Sequence, residues 1–180
     1  MNGKIWVESE EGKGSTFYFT IKLKTTEKAD NDDMEILQQK ETLRRGQIVV
    51  DFSDLRVLIV DDIKINRVIA AELLSDTNIE MEEAVDGLEA LKAFENSAQG
   101  YYDVILMDMQ MPEMDGCEAT KAIRAMDRPD AKSVAIIAMT ANVMQSDVEL
   151  ALSSGMNGHI AKPIDYNNLV RTIKRMVRKE

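Results

Sequence analysis

The sequence has few residues that form covalent or metal crosslinks, and it has no long apolar run. Its 180 residues include one cysteine, Cys117, and one histidine, His159. A single cysteine excludes an internal disulfide and a thiolate metal cluster, and it suits a reducing cytosolic compartment. No stretch is long and apolar enough to cross a bilayer or to act as a signal peptide. We therefore expect a soluble cytoplasmic protein without direct membrane contact.

Positive charge is also scarce in this chain. It has 22 lysines and arginines against 32 aspartates and glutamates, which gives a formal net charge of -10. Domains that bind nucleic acid are usually basic, so we expect no nucleic-acid partner. A negative balance is compatible with binding cations or basic partners. Hydrophobic residues make up 44% of the chain, which is sufficient for a core.

The chain divides into three segments of different composition. Residues 1–23 contain two strand-like runs around the turn EEGKG and predict a β-hairpin. Residues 24–54 are predicted to be a linker with a short helix at MEILQQKETLRR and a short strand at QIVVDF. From residue 55 to residue 180, apolar strands alternate with helical patterns. The hairpin's second run alternates apolar with polar or smaller residues, and its apolar members are Phe17, Phe19, Ile21 and Leu23.

Five strands and the helices between them are predicted in residues 55–180. The strands are RVLIV, IEMEEA, DVILMD, AIIAM and GHIA, and several are apolar throughout, which is typical of a parallel sheet covered on both faces. Strand–helix alternation predicts a doubly wound α/β domain. Apolar stripes at helical spacing are Ile65, Ile69 and Leu73; Leu88, Leu91 and Phe94; Ala119, Ile123 and Met126; and, in the last helix, Tyr166, Leu169, Val170, Ile173, Met176 and Val177.

Polar residues end four of these strands. In an open parallel sheet, ligands bind just beyond the carboxyl ends of the strands, so these residues are predicted to meet at one edge. The edge would combine three carboxylates with a hydroxyl and an ammonium group. In chain order, the residues concerned are Asp61 and Asp62 after the first strand, Asp108 at the end of the third, Thr140 and Ala141 after the fourth, and Lys162 after the fifth.

This set of groups predicts phosphoryl-transfer chemistry. Three neighbouring carboxylates repel one another unless a cation lies between them, and Mg²⁺ with oxygen ligands fulfils that need. A carboxylate beside such an ion can act as a nucleophile toward phosphorus. Lys162 and Thr140 would help to neutralise the phosphoryl oxygens, and Ala141 leaves space for them. Each acid alone could instead be a helix cap, as could Thr140, so the interpretation depends on the whole set.

Residues 55–180 resemble a response-regulator receiver domain of two-component signalling. The matching segments are LIVDD, DVILMDMQMPEMDG, MTAN and GHIAKPID, in the family's order and at its separations. The resemblance implies a flavodoxin-like, five-stranded parallel sheet in the order 2-1-3-4-5. It also implies a cis peptide bond between Lys162 and Pro163.

The resemblance assigns a role to each strand-end residue. It implies that Asp108 is the phospho-acceptor, and that Lys162 pairs with its carboxylate or with the phosphate. It implies that Thr140, with Ala141 beside it, moves to bind the phosphate. The switch position three residues before the lysine is His159, where most family members have Tyr or Phe. The implied ligands of Mg²⁺ are Asp61, Asp62, Asp108 and the backbone carbonyl of Gln110.

The front of the chain resembles the last hairpin of a histidine-kinase ATP-binding domain. Gly12 and Gly14 would belong to its final glycine box, although Asn2 stands where a glycine is common. The phosphoacceptor histidine helix and the other nucleotide boxes are missing. We therefore interpret the chain as a fragment of a hybrid sensor histidine kinase, with Met1 an internal methionine. The fragment would comprise a catalytic-domain remnant (1–23), a linker (24–54) and a receiver domain (55–180).

The expected activity is phosphorelay signalling. Asp108 would accept a phosphoryl group from a histidine-kinase domain or a histidine phosphotransfer protein, and the domain would then switch conformation. The parent protein would be a kinase, whereas this fragment would catalyse only its own phosphorylation and dephosphorylation. A homodimer through the hairpin is a further possibility, because isolated hairpins are marginal and its apolar stripe needs a cover. The alternatives for that stripe are docking on the linker or lack of order.

Three other functions compete with this interpretation. An acid-cluster phosphatase of the haloacid-dehalogenase type requires a second acid two residues after its nucleophile, where this chain has Gln110. A flavodoxin-like cofactor module requires a loop rich in Ser, Thr and Gly after the first strand, where this chain has DDIKIN. A pseudo-receiver that only binds partners, without turnover, stays open.

Overall fold

The computed structural model of the protein describes residues 4–10, 14–20, 48–141 and 145–177. The chain forms two compact units, Met1–Arg45 and Gly46–Glu180. The predicted helix MEILQQKETLRR lies outside the described residues, and so do Asn2, Gly12, Ile21 and Leu23.

The first unit contains the predicted β-hairpin. Strands β1 (Ile5–Glu10) and β2 (Gly14–Phe19) pair antiparallel. On one face of the hairpin, Trp6 stacks on Tyr18 with ring centroids 5.2 Å apart. The other face exposes four apolar side chains, Ile5, Val7, Phe17 and Phe19. The prediction of a hairpin is confirmed, while the cover of its apolar face stays a prediction.

The second unit is the predicted doubly wound α/β domain. Its strands are β3 (Arg56–Val60), β4 (Glu80–Ala84), β5 (Val104–Asp108), β6 (Ala135–Thr140) and β7 (Gly158–Ala161). They are all parallel and lie in the order β4-β3-β5-β6-β7, which confirms the predicted order 2-1-3-4-5. The helices are α1 (Lys64–Leu74), α2 (Gly87–Asn96), α3 (Gly116–Ala125), α4 (Gln145–Ser153) and α5 (Tyr166–Val177). Among the described residues, no helix is both long and apolar enough to cross a membrane.

The core has one apolar layer on each face of the sheet. Successive residues of β3 alternate between the layers, so that Leu58 packs toward α2 and α3 while Ile59 packs toward α1 and α5. Because both faces are covered, the inner strands β3, β5 and β6 are apolar except for one terminal residue each, which is Arg56, Asp108 or Thr140. The edge strand β4 carries exposed glutamates instead. The predicted stripe of α5 is confirmed, since Leu169, Val170 and Ile173 are fully buried.

The predicted stripe of α1 is wrong at two of its three positions, since only Leu73 packs against the core. The helix buries Arg67, Ala70 and Leu74, whereas Ile65 and Ile69 are 60% and 45% exposed. Arg67 accounts for this orientation, because its guanidinium donates to the carbonyl of Asp61 and forms an ion pair with Glu83 of β4. These bonds turn the arginine toward the sheet and leave the isoleucines in solvent.

The predicted strand at QIVVDF is also wrong, since residues 48–52 have no strand structure. The Ile48 N–H donates to the Asn167 side chain over 3.1 Å, and the Ile48 carbonyl accepts a hydrogen bond of 2.9 Å from the Tyr166 hydroxyl. Four residues on, the Phe52 N–H donates to the Thr77 carbonyl, and the Phe52 ring is buried in the core. The hydrogen bonds that a neighbouring strand would supply are therefore made by the side chains of Tyr166 and Asn167 in α5 and by the Thr77 carbonyl between α1 and β4.

Arg124, at the C-terminal end of α3, forms hydrogen bonds with the segments that precede β6 and β7. Its guanidinium donates to the carbonyls of Gly155, Ala131 and Val134 and to the side chain of Asn157, all within 2.7–3.0 Å. Buried carbonyls that lose a donor are costly, so one side chain stabilises several loop segments at once.

We expect Arg124→Met to lower the free energy of unfolding by about 3 kcal/mol, because hydrogen bonds to a charged donor each contribute about 1.5–3 kcal/mol. Urea denaturation provides the measurement. Lys121→Met on the same helix, at an exposed position, is the control and should change the free energy by less than about 0.5 kcal/mol. Equal stabilities of the two variants would contradict the assigned role of Arg124.

Candidate functional site at the carboxyl ends of the strands

The predicted meeting of three acids is confirmed. One carboxylate oxygen from each of Asp61, Asp62 and Asp108 lies within 4.8 Å of the others. The adjacent strands β3 and β5 produce this proximity, because Asp61 follows the first and Asp108 ends the second. Asp61 is 0% exposed and Asp108 is 6% exposed, whereas Asp62 faces solvent. The cluster therefore has two buried carboxylates and one at its mouth.

Lys162 joins the two buried acids. Its Nζ lies 2.6 Å from Asp61 Oδ2 and 2.8 Å from Asp108 Oδ2. The Lys162 backbone N–H donates to the carbonyl of Thr140, which attaches the lysine to the end of β6. The peptide bond to Pro163 is cis, as predicted. One ammonium thus contacts two of the three carboxylates, which leaves the cluster with more acidic groups than basic ones.

Burial and the charges in the cluster shift two pKa values. Burial raises the pKa of Asp108 above its ordinary value, and the negative charge of Asp61 raises it further, although Lys162 opposes both effects. Burial alone would lower the pKa of Lys162, but its hydrogen bonds to Asp108 and Asp61 outweigh burial and raise it. The lysine therefore stays protonated at neutral pH, and Asp108 ionises at higher pH than an exposed aspartate.

Asp61 is held by three further groups that lie in or just before α1. The Ile63 N–H donates to Oδ1 over 2.9 Å, and the Asn66 amide donates to Oδ1 and Oδ2 over 3.0 and 3.2 Å. Arg67 Nη1 donates to the Asp61 carbonyl over 2.7 Å. The sequence analysis did not predict that Asn66 and Arg67 contact Asp61. The signal that could have indicated these contacts is a pair of polar residues in the first turn of the helix that follows Asp61 and Asp62.

The loop after Asp108 folds back tightly onto the strand end. The Gly116 N–H donates to the Met109 carbonyl, and the Gly87 N–H donates to the Met114 carbonyl. A Cβ on Gly116 would lie 2.1 Å from the Asp108 carbonyl, so only glycine fits at this position. The Gln110 N–H approaches Asp108 Oδ1 at 3.5 Å. The predicted metal-binding role of the Gln110 carbonyl stays a prediction.

Thr140 and His159 lie at different distances from the strand ends. Thr140 is the last residue of β6 and is buried, and Ala141 beyond it is exposed. His159 lies inside β7 opposite Ala138 and is half-buried. Its side chain lines an open cleft of 460 Å³ beside α5, together with Arg171 and Arg175. Thr140 is thus placed at the acid edge, and the switching roles of Thr140 and His159 stay predictions.

The donor set of the site fits a hard divalent cation. Three carboxylates supply oxygen ligands, and the exposed position of Asp62 gives a cation access from solvent. Lys162 supplies a fixed positive charge that contacts Asp108 Oδ2. A bound cation and this ammonium group could therefore both neutralise the charge of a phosphoryl group at Asp108, as phosphoryl transfer requires.

The fold and the acid–lysine cluster define a signalling domain of the CheY-like type. The chain belongs to the family of the response regulator receiver domain, whose family model matches residues 57–174. It is 33% identical over 184 residues to the aerobic respiration control sensor protein ArcB of Escherichia coli (strain K12), an alignment that covers 97% of this chain and 20% of ArcB. The chain spans only 6–20% of the length of the first curated relatives that it matches.

Two solved structures extend the comparison. The receiver domain of the sensor histidine kinase PA1611 from Pseudomonas aeruginosa PAO1, described with a magnesium ion coordinated in its active site cleft, is 35% identical with a TM-score of 0.62, covering 68% of this chain and 97% of that one. The receiver domain of Ssk1 from Saccharomyces cerevisiae, in a complex with the histidine phosphotransfer protein Ypd1, is 30% identical with a TM-score of 0.60, covering 72% and 91%. Both resemble this chain in the receiver domain.

We expect Asp108→Asn to raise the free energy of unfolding at pH 7 without metal. The folded-state pKa of Asp108 is raised, so its ionised form destabilises the fold above that pKa, and the destabilisation disappears as the pH falls through it. Thermal melting from pH 3 to pH 8 provides the measurement. The difference between variant and wild type should shrink toward acid pH, and a wild type that is more stable than the variant at pH 7 would contradict the prediction.

Proposed function

We propose that the protein is a phosphorelay receiver that takes a phosphoryl group from phosphohistidine onto Asp108 in the presence of Mg²⁺. The observation that carries this proposal is the Lys162 ammonium bound to both buried acids of a three-carboxylate cluster. An Asp108 oxygen attacks phosphorus, and the new P–O bond forms as the P–N bond breaks; the phosphohistidine is protonated on its other ring nitrogen, so the histidine leaves as neutral imidazole. Membership of the receiver family supports the same chemistry.

Each neighbouring group has a proposed part in the transfer. Asp61, Asp62, Asp108 and the Gln110 carbonyl would hold Mg²⁺, which supplies charge neutralisation for the phosphoryl oxygens when bound. Lys162, which contacts Asp108 Oδ2, would also neutralise charge on those oxygens. After transfer, the Thr140 hydroxyl would bind the phosphate, with the small Ala141 leaving space for it. His159 would respond as the switch residue, which biases a two-state equilibrium toward the phosphorylated conformation.

We further propose that the chain comes from a hybrid sensor histidine kinase. The similarity to ArcB extends over 97% of this chain and therefore includes most of the front segment. Residues 1–23 would be the tail of the ATP-binding domain, residues 24–54 the linker, and residues 55–180 the receiver. The exposed apolar face of the hairpin supports this origin, because such a face is normally covered by further structure. A single cysteine supports a cytoplasmic setting.

The proposed phosphoryl donor is a histidine-kinase domain or a histidine phosphotransfer protein, and it would dock on α1. Ile65, Val68 and Ile69 of this helix are each at least 45% exposed, as is Ile63 just before it, next to the open side of the acid cluster at Asp62. An exposed apolar patch beside a reactive group is typical of a protein–protein contact. The relative Ssk1 contains a receiver domain that binds a phosphotransfer protein, which supports this class of partner.

Chemical phosphorylation tests the acceptor residue. With Mg²⁺ and a small acyl phosphate, intact-mass measurement should show the gain of one phosphoryl group on the wild type. Asp108→Asn should show none, because no reactive carboxylate remains at that position. The exposed carboxylate of Asp127 provides the control, so Asp127→Asn should be labelled like the wild type. An unlabelled wild type would favour the pseudo-receiver, and a labelled Asp108→Asn would place the acceptor elsewhere.

Protein-to-protein transfer tests the docking surface. Ile65→Asp should slow phosphoryl transfer from a purified, phosphorylated histidine phosphotransfer domain about tenfold, because a charge on the apolar patch costs about 1.4 kcal/mol or more in the complex. Labelling by acyl phosphate, which needs no docking, should be unchanged. Leu152→Asp on the exposed side of α4 is the control. Slower labelling of Ile65→Asp by both donors would assign Ile65 to the reaction itself and contradict the docking surface.

A further inference from the structure

We propose that Asn66 is a positioning residue that orients the Asp61 carboxylate and thereby sets the affinity of the acid cluster for Mg²⁺. This inference rests on the proposed function in one respect, which is that the cluster binds Mg²⁺. It adds a residue to the site that lies outside the set of acids, hydroxyl and lysine.

The contact between the two side chains is direct and involves both carboxylate oxygens. Asn66 Nδ2 lies 3.0 Å from Asp61 Oδ1 and 3.2 Å from Asp61 Oδ2. Asp61 is 0% exposed, so water does not replace a lost donor easily. The other donors to this carboxylate within the described residues are the Ile63 N–H on Oδ1 and the Lys162 ammonium on Oδ2. Asn66 is the one donor among them that contacts both oxygens, and it restrains rotation of the carboxylate.

The neutral amide suits a site that must attract a cation. Three carboxylates and one ammonium leave the cluster with two uncompensated negative charges when all are ionised. A lysine or arginine at position 66 would hold Asp61 equally well, but it would cancel one of those charges and weaken the attraction for a divalent ion. An amide orients the carboxylate without that effect.

The protein holds Asn66 itself in a fixed place. It lies in the first turn of α1, directly before Arg67. Arg67 Nη1 donates to the Asp61 carbonyl, and its Nε donates to Glu83 of β4, both over 2.7 Å. These bonds fix the first turn of the helix against the end of β3 and aim the Asn66 amide at Asp61. Groups that orient metal ligands in this way commonly change metal affinity by about 10–100-fold when they are removed.

Metal titration of the whole chain tests the role of Asn66. Asn66→Leu has a similar volume and no donors, and it should weaken the Kd for Mg²⁺, measured by calorimetry, by about tenfold or more. The Mg²⁺ concentration for half-maximal acyl-phosphate labelling should rise by a similar factor, while the rate at saturating Mg²⁺ stays within about twofold. Asn96→Leu, at an exposed position at the end of α2, should match the wild type in both measurements.

Other outcomes separate the possible explanations. An unchanged Kd, or a lower rate at every Mg²⁺ concentration with unchanged half-saturation, would overturn the positioning role. If Asn66→Leu does not fold, Asn66→Ala also removes the amide and replaces it with a smaller side chain. The same weakening of the Kd for Mg²⁺ is expected for this variant. Magnesium binding by a wild type that acyl phosphate does not label would contradict the proposed function and leave this inference standing. A wild type that binds no Mg²⁺ would contradict both the proposed function and the role of Asn66.

Discussion

The structure of the site depends on one lysine that lies between two buried carboxylates. Asp61 and Asp108 are both shielded from water, and two such charges cannot remain ionised side by side without a cation. The Lys162 ammonium bonds to both of them. Asp61 follows β3, and Lys162 follows β7, 101 residues later in the chain. Their contact therefore requires β3, β5, β6 and β7 to be assembled in the correct order.

The same arrangement explains why the site suits a bound cation and also why it is costly to the fold. One lysine does not balance three acids, so the cluster attracts a second cation, and the pKa of Asp108 is raised by burial in this environment. Stability must then come from elsewhere in the domain. The two apolar layers on the sheet and the Arg124 bonds at the opposite end of the strands supply it.

Most of the fold was predictable because its signals are local. Fully apolar runs predicted the inner strands, and the stripe of α5 predicted its buried face correctly. The stripe of α1 was misleading because apolar residues occupy more than one side of that helix, and a polar residue, Arg67, turns inward to bond with Asp61 and Glu83. The segment QIVVDF has strand-like composition, but its partners are the side chains of Tyr166 and Asn167 rather than another strand.

The sequence by itself determined which chemical groups stand at the strand ends, because in a parallel sheet the ends of successive strands meet at one edge. It therefore predicted Asp61, Asp62, Asp108 and Lys162 as one site. Only the tertiary structure decided that Asn66 donates hydrogen bonds to Asp61, that Arg67 is buried, and that His159 lines a cleft beside α5. These features depend on the rotation of helices about their axes and on contacts between distant segments, and neither follows from the spacing of residues along the chain.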